Sequence, residues 1–452
     1  MININILSNL KFNKRTESQI KNIAYSALYK LVGVLISLLL VPICLRYLDS
    51  NNYGVWLTIS STMSWISLLD LGIGNGLKNK LTENLAKENI VQSKSLVSTS
   101  YFIFFVIILV IVILFLILNH FTKWENIFKL KLNDGIRINT IMPILFIFFS
   151  IRFVLDLINS ILFAHQRADL VARNNLYINA LVFIGIFILT KSVFINKLLW
   201  LNIVSNGIPI FFLLLISIYY FKGIFKKISP NIKNIKLAHA KELLSVGLKF
   251  FTIQVASLII FSTDNIIITS LFTPKDVTLY NIPYKLFSLF IFGWTIILTP
   301  LWTAFGEAFI RKDFVWIKKV VSVLNKAWVI LLIVVILTII LSSRIYNFWL
   351  GDTVLVPIRL SIFMGIFVLI STYTNIYVYF INGVGKLNIQ FYTSIFAALV
   401  NIPLCLFMTK NLGFGVDGII IATCLSISLN PILAYYQYYK IINNKASGIW
   451  FS

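Results

Sequence analysis

This chain is short of acids. Of its 452 residues 16 are Asp or Glu, and all charged types together reach 12% against 59% hydrophobic. A soluble domain has too few polar residues at that balance to cover its surface, and with a mean hydropathy of +0.89 the chain reads as a polytopic membrane protein. It is also short of metal-binding residues. Cys44, Cys405 and Cys424 stand singly in apolar stretches and His120, His165 and His239 lie far apart, so neither a disulfide framework nor metal-ligand spacing is present. No Gly-rich phosphate loop, DxD-type pair or nucleophile motif stands in any loop, and no cofactor is expected, so energy has to come from a gradient. The first twenty residues lack the short apolar run and small-residue cleavage site of a signal peptide.

What is abundant is positive charge, +23 net. The basic residues lie between apolar runs, which directs them to a membrane surface rather than to nucleic acid. With about 20 apolar residues needed per crossing, twelve spans are expected: 24–45, 54–77, 96–118, 141–164, 176–195, 198–221, 243–271, 280–306, 320–343, 357–381, 388–409 and 415–438. On one side of these spans fall 23 of the 39 Lys and Arg residues, against 11 on the other. The positive-inside rule then places both termini in the cytoplasm.

The stretch Tyr53–Glu83 stands out. It sets one acid, Asp70, in an apolar span ahead of Gly72, Gly74 and Gly76, and ends on Lys78 and Lys80. A carboxylate at that depth needs a cavity or a partner, and glycines there let a helix bend or pack closely. The three glycines are the expected hinge, with tight helix packing as the rival reading.

The basic segment 222–242 divides the chain into a first half, 1–221, and a second, 243–452, of six spans each. An offset of 224 pairs Trp56 with Tyr280, Glu83 with Glu307, Lys87 with Arg311 and Lys94 with Lys318. Such parallel repeats place a binding site between the halves near the midplane.

Six segments then carry a resemblance: RYLDSNNYGVW (46–56), DLGIGNGLKNKL (70–81), LFAHQRADLVARNN (162–175), STDNIIIT (262–269), TPLWTAFGEAF (299–309) and INGVGKLNIQ (381–390). With these in order, the chain resembles the O-antigen and capsule oligosaccharide flippases of the multidrug/oligosaccharidyl-lipid/polysaccharide exporter superfamily. The resemblance implies an all-α membrane fold of twelve transmembrane helices in two six-helix lobes, V-shaped around a central cavity, in a bacterial cytoplasmic membrane. Its implied cargo is an undecaprenyl-pyrophosphate-linked oligosaccharide moved to the outer leaflet by alternating access. H⁺ or Na⁺ is the candidate coupling ion, and a polysaccharide polymerase and a chain-length regulator are candidate partners.

Ionisable residues inside spans are functional candidates by default. Arg152 and Asp156, four apart and so on one helix face, read either as a self-neutralising pair or as a phosphate-binding Arg with its orienting acid. Lys30 and Lys249, in the first span of each half, either snorkel to headgroups or draw a pyrophosphate into the cleft. Asp264 and Lys285 read as an ion pair or as a release site. Asp70, Asp156 and Asp264 are the candidates for ion coupling, while Glu307 is expected to face water beside Arg311. Tyr373 and Tyr377 share one face of the tenth span, where rings stack on sugars or pack in a core.

Two other classes compete. A cation-coupled drug exporter calls for an acidic cavity, whereas five of the residues inside spans are basic: Lys30, Arg152, Lys249, Lys285 and Lys326. A membrane polysaccharide polymerase calls for a large external loop, and the longest here is Asn119–Thr140.

Overall fold

The computed structural model describes residues 14–65, 73–124, 138–194, 196–238, 255, 262–351 and 354–451. Its long elements are α1 (Lys14–Ser64), α2 (Ile73–Ala86), α3 (Ile90–Phe121), α4 (Ile138–Leu155), α5 (Leu157–Ala164), α6 (Ala168–Thr190) and α7 (Lys197–Lys222). They continue with α8 (Pro274–Ile310), α9 (Phe314–Leu350), α10 (Ile358–Val384), α11 (Asn388–Leu406), α12 (Asp417–Ile427) and α13 (Leu429–Ile442). No strand occurs among the described residues. Ten stretches among them are long and apolar enough to cross a membrane, and ten of the twelve expected spans fall on these. The second and seventh expected spans run through residues outside those described.

Spans one and two are joined without a loop. Within α1 the backbone breaks only at Asp49, with φ 70° and ψ 171°. Its carboxylate accepts hydrogen bonds from the backbone N–H of Asn51 (2.8 Å) and Asn52 (3.0 Å) and from Asn52 Nδ2 (2.7 Å). This is N-capping geometry, and it holds a non-glycine residue in a region that costs about 1–3 kcal/mol. Thr273, 224 residues on, is the N-cap of α8; there Asp276 accepts from the Thr273 backbone N–H (3.0 Å) and hydroxyl (2.6 Å), and Pro274 lies in the first turn.

The same offset recurs where the following helix begins. Asn89 and Asp313 are the N-caps of α3 and α9, each accepting from the backbone N–H three residues on. The preceding residues, Glu88 (φ 55°) and Lys312 (φ 58°), are both left-handed. Glu83 pairs with Lys87 at 2.7 Å and Glu307 with Arg311 at 2.6 Å, so Glu307 and Arg311 do lie together at the exposed surface. At the next turn the offset falls to 219, with Gln166 (φ 59°) and Gly385 (φ 76°) as counterparts. Thr82 Oγ1 reaches the carbonyl of Ala164 at 3.4 Å. Their counterparts, Gly306 and Gly383, meet so closely that a Cβ on Gly306 would stand 2.7 Å from the Gly383 carbonyl oxygen.

Several boundaries lie a few residues from those expected, and two differences have a physical cause. The fifth span begins at Ala168 rather than 176, because Arg173 can lie in the helix with its guanidinium 5.9 Å from the Tyr177 ring. The last span breaks at Ser428 between α12 and α13, where Pro431 has no N–H to bond four residues back and its ring crowds that carbonyl. The two ends of the bundle are called here the Asp49 end, which also carries Thr273, and the Arg311 end, which carries Glu83–Lys87.

Candidate functional site

The two halves touch along a line that starts at the Asp49 end. Thr278 Oγ1 donates to the Ser50 carbonyl (2.7 Å), Thr58 and Thr269 share a hydroxyl bond (2.6 Å), Asn265 Nδ2 donates to Ser61 Oγ (2.6 Å), and Ser64 Oγ donates to Ser262 Oγ (3.1 Å). Trp349 Nε1 adds a bond to the Leu38 carbonyl at 3.0 Å. Beside them Gly54 lies so close to Pro274 that a Cβ would overlap its carbonyl oxygen. Apolar residues reinforce the line, since Ile282, Tyr346 and Leu350 of the second half are buried in the core of the first. All the polar partners are neutral, and each such bond contributes only about 0.5–1.5 kcal/mol net. The line is a neutral seal between the halves.

Toward the Arg311 end this seal gives way to a cavity of about 320 Å³ between α1 and α6, with Phe292 of α8 at its side. Its polar groups are Lys30, Tyr29, Ser26, Ser37, Asn175 and Asn179, and no acid lines it among the described residues. Gly33 keeps the wall thin, because a Cβ there would press on Asn179 Nδ2 at 3.3 Å. One ammonium with amides and hydroxyls around it suits a phosphate joined to polyhydroxyl groups. Lys30 is exposed and has no ion-pair partner among the described residues.

The other expected residues are placed as follows. Lys285 is half-buried beside Cys44 of α1, so it does face the other half. Asp264 does not pair with it. Instead Tyr280 donates to Asp264 Oδ2 at 2.5 Å, Oδ1 has no partner among the described residues, and the neighbouring Asn265 is the residue that reaches Ser61. The ion-pair reading of Asp264 and Lys285 is therefore not met; Tyr280, five residues before Lys285 on α8, takes the place beside Asp264. Arg152 and Asp156 do meet, loosely, at 3.9 Å with both side chains part-exposed, and Asn159 Nδ2 donates to Asp156 at 3.1 Å.

Tyr373 and Tyr377 are placed in the packing of α9, α10 and α13 rather than in the cavity. Tyr377 is 1% exposed, donates to Asn325 Oδ1 and shares a hydroxyl contact with Tyr373, both at 3.2 Å, while Trp328 packs on Tyr373 with ring centroids 5.0 Å apart. The reason is topological: α10 is packed against α8, α9, α12 and α13, which leaves these two rings no open face toward α1. Gly74 and Gly76 begin α2. Asp70, Gly72 and Lys249 lie outside the described residues.

The residues overlooked in the sequence are Asn175 and Asn179 and the hydroxyl ladder Thr58, Ser61, Ser64. Both leave a trace, as the amides are four apart and the hydroxyls three apart in otherwise apolar runs.

Residues 20–301, more than half of the chain, match the family model described as "Polysaccharide biosynthesis protein". The chain belongs to this family. A putative O-antigen export protein of Yersinia pseudotuberculosis is 24% identical over 79% of this chain and 82% of its own length. A putative O-antigen transporter of Salmonella typhimurium is 25% identical over 66% and 67%. Among solved structures, an inward-facing multidrug resistance MATE transporter of the MOP superfamily superposes with a TM-score of 0.70 at 13% identity, covering 93% of this chain and 96% of that one. A MOP superfamily transporter from Pyrococcus furiosus, described as having a binding pocket of reversed polarity, gives 0.64 at 13% identity over 95% and 97%. The polysaccharide biosynthesis family member described here thus shares the MATE-type helical fold.

Proposed function

We propose that the protein is a flippase that carries an oligosaccharide linked to undecaprenyl pyrophosphate from the cytoplasmic to the outer leaflet. The observation that carries this reading is the charge of the cavity: one free ammonium, Lys30, set among amides and hydroxyls, with no carboxylate among the described lining residues. A cationic drug would be repelled there, and an anionic phosphate would be held while neutral donors and acceptors meet sugar hydroxyls. The O-antigen names of the relatives support the same cargo class.

The lobes are residues 1–221 and 243–452, joined by the basic segment 222–242. With the basic Arg311 end in the cytoplasm, the cavity opens inward and the seal closes the outer side. The headgroup enters at Lys30, the neutral bonds of the seal part, and the cargo leaves at the Asp49 end. Loss of all five cross-half bonds costs about 3–7 kcal/mol before water replaces them, within reach of an ion gradient or of cargo binding. Asp264 is the acid best placed for coupling, because it is buried, bonded to Tyr280, and adjacent to the Asn265 that ties the seal to Ser61.

The test is charge at position 30. In a flippase-deficient strain Lys30→Glu abolishes surface glycan and Lys30→Gln lowers it partially, both at normal membrane abundance. Equal surface glycan in the two variants would remove electrostatic recruitment from the account.

A further inference from the structure

A second basic group stands outside the cleft, on the flank formed by α9, α10 and α13. Lys318, Ser322, Asn325 and Lys326 follow one another along one side of α9, and with Tyr377 and Tyr435 they line a recess of about 370 Å³. Both lysines are exposed, and neither has an acidic partner among the described residues. Adjoining this recess is an apolar one of about 580 Å³, lined by Trp328, Ile366, Leu369, Tyr373 and Ile432 among others. Tyr435 lines both, so the two meet along its ring.

Their order along the helices is that of a lipid. Lys318 follows the Asp313 cap of α9 by five residues, at the polar Arg311 end. Lys326 lies about 12 Å further along the axis at 1.5 Å per residue, close enough for its stem to return the ammonium toward the headgroups. The apolar recess lies deeper, at the level fixed by the bond from Trp328 Nε1 to Thr372 Oγ1 (3.1 Å) and by the approach of Gly365 to Val335 and Ile339. Two unpaired cations at headgroup depth followed by an open apolar trough match an anionic head and an acyl chain in both charge and direction.

We propose that this flank holds one anionic phospholipid of the surrounding leaflet, its phosphate between Lys318 and Lys326 and one acyl chain along Trp328, Leu369 and Ile432. Half-buried Tyr373, with buried Tyr377 behind it, is then the wall between the lipid and the core of the second half. This site is separate from the cavity at Lys30 and does not rest on the transport reading.

Native mass spectrometry of the full chain purified in detergent tests it, with phosphatidylglycerol, a diacylglycerol of the same chains, and glycerol phosphate as probes. One phosphatidylglycerol is retained, diacylglycerol binds about 30-fold more weakly, and millimolar glycerol phosphate does not displace the lipid. At about 1 kcal/mol per lysine, Lys318→Ala with Lys326→Ala weakens phosphatidylglycerol about 30-fold. Leu369→Trp, which fills the trough without touching charge, also lowers retention. Both lysines are exposed, so unfolding temperature stays within about 2 °C and reports that the variant is folded; Lys318→Ala alone, with a smaller loss of about fivefold, serves as the milder variant. Equal affinity for diacylglycerol, displacement by glycerol phosphate, or unchanged retention in both the lysine and the Leu369 variants would overturn the assignment.

Discussion

Gly54→Ala separates the sealed and open states more cleanly than any change in the cavity. A Cβ at position 54 would overlap the Pro274 carbonyl oxygen and stand 2.5 Å from the carbonyl carbon. An ordinary carbon contact is about 3.5 Å, so the 50–64 segment of α1 and the start of α8 have to separate by about 1 Å, and a backbone carbonyl cannot swing aside as a side chain does. The flanking bonds, Thr278 to the Ser50 carbonyl at 2.7 Å and Thr58 to Thr269 at 2.6 Å, lengthen beyond hydrogen-bonding range. Losing two neutral bonds costs the sealed state about 1–3 kcal/mol, which shifts the balance between sealed and open forms about 5- to 150-fold toward open. The assay is labelling of Ser61→Cys by a membrane-impermeant maleimide, in a background where Cys44, Cys405 and Cys424 are replaced. We expect Gly54→Ala to raise the labelling rate by that factor at unchanged membrane abundance. An unchanged labelling rate in a folded Gly54→Ala protein would refute the contact as a determinant of the seal.

Two further outcomes follow from positions away from the seal. Tyr377→Ala empties a fully buried site and is expected to lower stability by about 3–5 kcal/mol, whereas Tyr377→Phe loses only two bonds of 3.2 Å and costs about 1 kcal/mol; thermal unfolding in detergent ranks the two, and equal losses would contradict a packing role. His165, in the turn before α6, is partly buried against Phe225 with its Nδ1 2.9 Å from the Ile161 carbonyl, and burial holds its pKa below the usual value. The unfolded chain then takes up a proton that the folded chain resists, so stability falls as pH drops through about 6.5 toward the lowered folded value. His165→Phe, which keeps the ring contact, is expected to flatten the acid limb of the unfolding temperature between pH 8 and pH 5, and parallel curves would exclude this histidine as its cause.

Much of the architecture was legible because lipid imposes a simple rule. Apolar runs of fixed length had to be helices, and the 224-residue offset that linked Glu83 with Glu307 and Lys87 with Arg311 recurs in caps, left-handed residues and ion pairs alike. The site was less legible. Lys30 could be singled out, since charge in a span is conspicuous, but its neighbours Asn175 and Asn179 look like ordinary amides until α6 is laid beside α1. Tyr373 and Tyr377 show the opposite error: a shared face of a helix says which residues travel together, not which neighbour they meet. Asp264 was conspicuous for the same reason as Lys30, yet its partner proved to be Tyr280, because a long-range choice between a phenol and an ammonium depends on rotations of one helix against another. The seal was invisible for a related reason, as single Ser and Thr residues in apolar spans commonly bond to their own helix, as Thr62 and Ser205 do here at 2.9 and 2.6 Å.

The claim at the centre of the account is that the two halves must part along Thr58, Ser61 and Ser64 for each cargo to cross. Ser64 Oγ and Ser262 Oγ are 3.1 Å apart, so cysteines at these two positions can be joined and released at will in proteoliposomes containing a fluorescent pyrophosphate-linked lipid oligosaccharide. Flipping should stop on oxidation and return on reduction in the double variant, with neither single variant affected. Flipping at the same rate in the oxidised, cross-linked protein would contradict it.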